Sequence, residues 1–258
     1  MPYTTEAIKN RFSRASNTYD QVAAIQKNSA HFLVAKLLQA TQSQPQTILD
    51  LGAGTGALTE ILFTLFPQTH FSLNDLSPQM LEQCQEKLQI PPQLVTYLPS
   101  DMQKLDGTLY DWVVSNFALQ WVENLPFMLQ RAFSKSRKLF AFSLLTEGTF
   151  FEWQQLLSHH HTNSSLNYYA KNKLIQLCEE IACQQKGVVF QFWTEKKKLT
   201  FSSPSHFMQY LKKLGASLPA QPIALRQLRA LYKEQSSFST HYNLFYGLFL
   251  RKSNERFC

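Results

Sequence analysis

Asp50-Leu-Gly52-Ala-Gly54-Thr-Gly56 is the stretch on which the reading of this 258-residue sequence turns. It closes a short apolar run that begins at Thr47 and leads into Ala57 to Leu65, a helical segment that Pro67 stops, so the glycines stand at a strand-to-helix turn. Missing Cβ atoms let the backbone turn sharply and let a ligand lie against it, while the amides at the helix start face that ligand. Gly52, Gly54 and Ala57 also satisfy the dinucleotide fingerprint G-x-G-x-x-G/A, and Asp75 lies about twenty residues on, where either nucleotide class uses an acid on ribose hydroxyls. Alone, the loop fits both classes. A glycine turn that packs strand on helix with no ligand is the plainer alternative.

Two flanking acids tilt the choice. A carboxylate at Asp50, beside backbone that a cofactor would touch, repels a pyrophosphate and attracts the ammonium of a methionine moiety, which favours S-adenosylmethionine. Ser100-Asp101-Met102 follows the third strand, where the carboxylate can accept from an adenine amino group and the methionine can cover the ring. The alternative for Asp101 is to cap a turn.

Outward from the loop, Thr5 to Ala40 reads as helices, with Ile25, Phe32 and Leu33 on one face. Phe71 to Leu76 predicts a second strand, Ser77-Pro78 an N-cap with proline at the first helical position, and Met80 to Leu88 a helix. Strands follow at Leu94 to Leu98, Trp112 to Ser115 and Leu139 to Leu145. This alternation predicts an α/β fold with a mostly parallel sheet covered on both faces. After Thr146 the pattern turns helical, with Leu174, Leu177, Cys178 and Ile181 as one apolar stripe, before strands at Val188 to Phe201 and Tyr242 to Leu250. One domain over 1–258 is expected: N-terminal helices at 1–40, a cofactor-binding half at 46–146, cap or insertion helices and a late strand at 147–240, and a last strand at 241–252.

Hydrophobic residues make up 44% of the chain and charged residues 17%, within the globular range. The polar start and the lack of any run of about 18 apolar residues predict neither a secretory signal nor a membrane span, hence a cytoplasmic address. Cys84, Cys178, Cys183 and Cys258 lack the spacing of a zinc site and the density of a disulfide scaffold. Neighbouring His159, His160 and His161 cannot share a helical face, so no metal is expected. The formal charge is +7, concentrated at Lys135/Arg137/Lys138, Lys196 to Lys198, Lys212/Lys213 and Arg226/Arg229. Such clusters attract an acidic partner, nucleic acid or protein, or serve only as solvated surface.

With these residues in view, the sequence resembles the class I methyltransferases, and among them the malonyl-acyl-carrier-protein O-methyltransferases of biotin synthesis. Ser115-Asn-Phe-Ala-Leu-Gln-Trp121 is similar to the segment after that family's fourth strand, and Arg11-Phe-Ser-Arg-Ala-Ser-Asn-Thr-Tyr19 to its amino-terminal motif. Phe142 to Thr149, Tyr210 to Ala216 and His241 to Leu250 resemble its fifth strand, cap helix and last strand, so the likeness covers nearly the whole chain. It implies a Rossmann-like seven-stranded sheet, mostly parallel with an antiparallel last strand, plus a helical cap. It also implies methyl transfer from S-adenosylmethionine to the free carboxylate of a malonyl thioester. Gly52, Ala53 and Gly54 would contact the methionine portion with Asp50 beside it, Asp75 the ribose, Leu76 and Met102 the adenine faces, and Asp101 its amino group; Asn116 would line the pocket. An ionised carboxylate needs no general base, so Tyr19, Gln120 and Trp121 are expected as neutral positioners, with Arg14 a longer-range anchor. The expected partner is an acidic acyl carrier protein, or coenzyme A, carrying malonyl; neither nucleic acid nor a membrane is expected.

Arg131-Ala-Phe-Ser-Lys-Ser-Arg-Lys138 departs from the Pro-Gly-Gly turn usual before the fifth strand, and Ser158 to Tyr169 matches nothing in the family. The same cofactor loop would serve a methyltransferase acting on another small acid or RNA. From a different class comes a non-catalytic binding protein that keeps the fold without the chemistry.

Overall fold

The computed structural model describes residues 4–159, 168–216 and 236–252. Two helices, α1 (Thr5–Val22) and α2 (Ala24–Ala40), precede an alternating run: β1 (Thr47–Leu51), α3 (Ala57–Leu65), β2 (His70–Asp75), α4 (Pro78–Leu88), β3 (Val95–Pro99), β4 (Tyr110–Asn116), α5 (Leu125–Ser134) and β5 (Ser136–Leu145). Then come α6 (Phe151–His159), α7 (Lys171–Cys183), β6 (Val188–Phe201), α8 (Pro204–Lys213) and β7 (Phe238–Arg251). The strands form one sheet in the order β3-β2-β1-β4-β5-β7-β6. β1 to β5 pair in parallel, and β7 runs antiparallel between β5 and β6. This is the seven-stranded, mostly parallel architecture that the sequence predicts.

Local chemistry sets the boundaries. Ser77 accepts a hydrogen bond from the Met80 amide and Pro78 starts α4, as their order predicts. Gly52, Gly54 and Gly56 all adopt positive φ, at 72°, 57° and 83°. A Cβ on Gly52 would lie 2.2 Å from that of Ala118, so this glycine also allows the loops after β1 and β4 to close on each other. The chain winds outward from β1 to β3 and then returns to β4 on β1's other side. The carboxyl ends of β1 and β4 therefore flank a crevice, the usual place for a ligand in such sheets.

Each sheet face carries a core. Leu33, Leu37, Leu62, Phe207 and Tyr242 belong to one, while Met128, Phe133, Leu174, Cys178 and Phe249 belong to the other. The helices after Thr146 thus divide: the stripe of α7 covers the sheet beside α5, and α6 and α8 lie on the opposite face. Where the related enzymes usually have a glycine turn before the fifth strand, α5 here passes to β5 through Lys135 alone. Arg251 donates from Nε to the Ser136 carbonyl, capping the junction from the neighbouring strand β7. The basic cluster read there is corrected accordingly. Lys135 is only 4% exposed and Lys138 pairs with Asp111 at 3.2 Å, so neither is a free surface cation.

Candidate active site

A cavity of about 450 Å³ opens at the crevice. Asp50, Gly52, Ala53, Gly54, Asp75, Leu76, Asp101, Met102 and Asn116 all line it, so the structure brings together every residue assigned to the cofactor. Among the described residues its lining carries four carboxylates, Asp50, Asp75, Asp101 and Glu123, and no lysine, arginine or histidine. Such a wall repels a pyrophosphate and favours a cationic guest.

Asp50 is 1% exposed. Its Oδ2 accepts from the Thr59 hydroxyl at 2.7 Å, while Oδ1 has no partner among the described residues. Burial pushes its pKa up to about 7 despite that bond. A buried carboxylate oxygen left open is suited to an ammonium, which would satisfy it and restore its charge. Asp75 bonds through Oδ2 to the Gly54 amide and through Oδ1 to the Ser77 amide, tying the glycine loop to the start of α4; burial raises its pKa to about 6. A Cβ on Gly54 would meet nothing within 4 Å, so that glycine faces open space. Asp101 does cap a turn, accepting from the Gln103 amide with Oδ1, and it lines the cavity as well. Asn116 is held by the protein: it donates to the Gln26 carbonyl and accepts from the Ser29 and Ser143 hydroxyls.

Helix α1 flanks this cavity with Ile8, Phe12 and Tyr19, and is fastened by a Ser13–Ser77 hydroxyl contact and a bond from Thr55 to Asp20. A second, smaller cavity of about 30 Å³ shares Phe12, Tyr19, Gln26, Phe117 and Trp121 with the first. Gln120 lines it beside Phe150 and Tyr242. Among the described residues, no charged side chain lines this cavity. Gln120 gives one N–H to the Phe117 carbonyl at 2.7 Å, and its buried Oε1 is left as an acceptor with no partner among the described residues. Arg14 lines neither cavity and is exposed. It lies 200° around α1 from Phe12, while Ile8 and Tyr19 share the Phe12 face. That helical phase was available in the sequence, whereas Phe117 and Tyr242 carried no signal tying them to the site. Phe117 has a φ of 56°, unusual for a residue with a side chain, and its ring belongs to both cavities. The histidine run lies at the edge of or outside the described residues, and among those residues no cluster able to hold a metal is found.

The strand order, glycine loop and acid-lined crevice define a class I methyltransferase. The chain belongs to these S-adenosylmethionine-dependent enzymes, and the methyltransferase-domain family matches residues 49–139. Within them it is similar, over 95% of its length and at 29% identity, to the malonyl-[acyl-carrier protein] O-methyltransferase of Neorickettsia risticii, of which it covers 96%. The enzyme of that name from Magnetococcus marinus is 28% identical over 96% of this chain and 94% of its own. Magnesium protoporphyrin IX methyltransferase from Synechocystis PCC 6803, solved with bound SAH, shares the fold at a TM-score of 0.58 and 13% identity, with 90% of this chain and 86% of that one covered.

Proposed function

We propose that this chain transfers a methyl group from S-adenosylmethionine to the free carboxylate of a malonyl thioester on an acyl carrier protein, an early step of biotin synthesis. The observation that carries the reading is an acid-lined cavity that shares five lining residues with a second one whose described lining is uncharged, in a chain similar over 95% of its length to an enzyme of that name. When bound, the cofactor supplies a methyl carbon to the attacking oxygen as its carbon–sulfur bond breaks and the electron pair stays on sulfur. Asp50 and the Gly52 to Gly54 backbone hold the methionine portion, Asp75 the ribose hydroxyls, Leu76 and Met102 the adenine faces, and Asp101 the adenine amino group. Tyr19 and Trp121 orient the acceptor. Opposite charges are consumed as the oxygen is methylated, so a neutral cavity that excludes water and holds no competing cation favours the step. No general base is required, since the carboxylate is already ionised near neutral pH.

We infer that the whole chain works as one domain. No helix among the described residues is long and apolar enough to cross a membrane, and a cytoplasmic setting is part of the proposal. Lys212 and Lys213 are exposed and directly precede Leu214, which lines the acceptor cavity; they are placed to meet an acidic carrier. Incubation of the purified protein with malonyl-acyl carrier protein and labelled S-adenosylmethionine is expected to yield the methyl ester. Label transfer to a small acid or RNA with none to the malonyl thioester would overturn the substrate assignment.

A further inference from the structure

The second cavity presents two kinds of polar group. The buried Oε1 atoms of Gln26 and Gln120 have no hydrogen-bond partner among the described residues. Both are acceptors, so a carboxylate placed against them would be repelled, and they suit a donor on some other part of the acceptor. The other is Tyr242, the fifth residue of β7, which lines the same cavity, 2% exposed and set edge-on against the rings of Phe117 and Phe150 at 6.0 and 4.6 Å. Its hydroxyl lies 3.1 Å from that of Tyr210 on α8.

A hydroxyl is both donor and acceptor, and either of these two could donate to the other; when Tyr210 donates to Tyr242, Tyr242 is left free to donate into the cavity. Burial supports that state, raising the Tyr242 pKa well above its ordinary value and that of Tyr210 to about 12, so both keep their protons at neutral pH. Tyr242 is thus a neutral donor where a cation would hold the anion too firmly to react. Phe117, which touches its ring and lines both cavities, places it beside the methyl-donor side of the site.

We propose that Tyr242 is the residue that binds the acceptor's carboxylate, donating to the oxygen that does not attack, with Tyr210 as the positioning residue behind it. The inference rests on the proposed carboxyl methylation and assigns the anion-binding group of that acceptor site. A hydrogen bond to a charged group is worth about ten- to a hundredfold in binding, which sets the expected effect.

The test measures kcat and KM for malonyl-acyl carrier protein in the wild type, Tyr242→Phe, Tyr210→Phe and the double variant, with S-adenosylhomocysteine affinity and melting temperature as controls. Tyr242→Phe is expected to lower kcat/KM about ten- to a hundredfold, mainly through KM, with cofactor affinity unchanged. Tyr210→Phe should lower it severalfold, and the double variant should match Tyr242→Phe, because Tyr210 acts only through its neighbour. A wild type that turns over while Tyr242→Phe stays within twofold of it overturns this inference and leaves the proposed function standing. So does a double variant whose loss is the product of the two single losses. A wild type that binds cofactor yet methylates no malonyl thioester overturns both.

Discussion

The two cavities share five residues and differ in every other respect that governs chemistry. The donor cavity is walled by four carboxylates and built on the loops that follow β1, β2, β3 and β4. Among the described residues the acceptor cavity has largely aromatic walls, no charged lining, and residues drawn from α1, α2, the turn after β4, the end of β5, the segments before α6 and α7 and after α8, and β7. The first must recognise a cation and can spend charge on it. In the proposed reaction the second holds an anion that is about to lose its charge, and any strong counterion there would stabilise the reactant more than the transition state. The contrast is one of function expressed as dielectric environment.

The contrast breaks hardest at Asp50. Asp50→Asn keeps the shape and removes the charge that an ammonium needs, and is expected to weaken S-adenosylmethionine binding by about a hundredfold or more in calorimetry, as for loss of a buried charge partner. Next comes the reverse operation on the neutral side. Gln120→Lys puts a cation into the acceptor cavity and should lower both KM and kcat for the malonyl thioester, kcat by about tenfold, the signature of ground-state stabilisation. A rise in kcat would show that the cavity's neutrality does not matter.

A third expectation concerns pH. The Asp50 pKa is about 7 in the fold against about 4 in an unfolded chain. Below pH 4 both states are protonated and the group contributes nothing. Between 4 and 7 only the unfolded state ionises, so the free protein loses stability as pH rises, and above 7 the cost is constant. Cofactor binding favours ionised Asp50, so affinity should rise up to about tenfold from pH 6 to 7, level off above 7, and release protons near pH 6.5. Calorimetry in buffers of different ionisation heat reads that release, and Asp50→Asn should abolish most of it. The smallest expected effect lies outside both cavities: Lys212→Glu with Lys213→Glu should raise KM for the carrier-bound substrate a few-fold at low salt and leave it unchanged at 0.5 M salt, where surface charges are screened.

The donor half was legible because its chemistry is local. Seven consecutive residues carry the turn, the left-handed glycines and the buried acid, and Ser77-Pro78 marks its own helix start. Strands β1 and β6 fall where their patterns place them because apolar runs with clear stops leave little choice of boundary. The acceptor side was legible only through Tyr19, Gln120 and Trp121. Others of its members meet by folding across long stretches of chain, as Phe117 meets Tyr242. Arg14 was read from its place in a motif, when the turn of the helix sends it to the opposite side. Lys135 counted as surface charge because nothing in its neighbours says that α5 passes into β5 without a loop and buries it.

The strand order has a bearing on how the chain acquires its shape as it is made. β6 is synthesised before β7 yet touches the rest of the sheet only through it, and β5 pairs with β7 across about a hundred residues. Gly247 deepens that dependence, since the Phe142 ring fills the place a side chain there would need. Until β7 is in position, β5 keeps an unpaired apolar edge and β6 is a strand without a sheet. Both invite association with other chains. Anything that hastens the docking of β7 therefore acts on the yield of soluble protein, through a segment that lies apart from the glycine loop by which this sequence is most readily known.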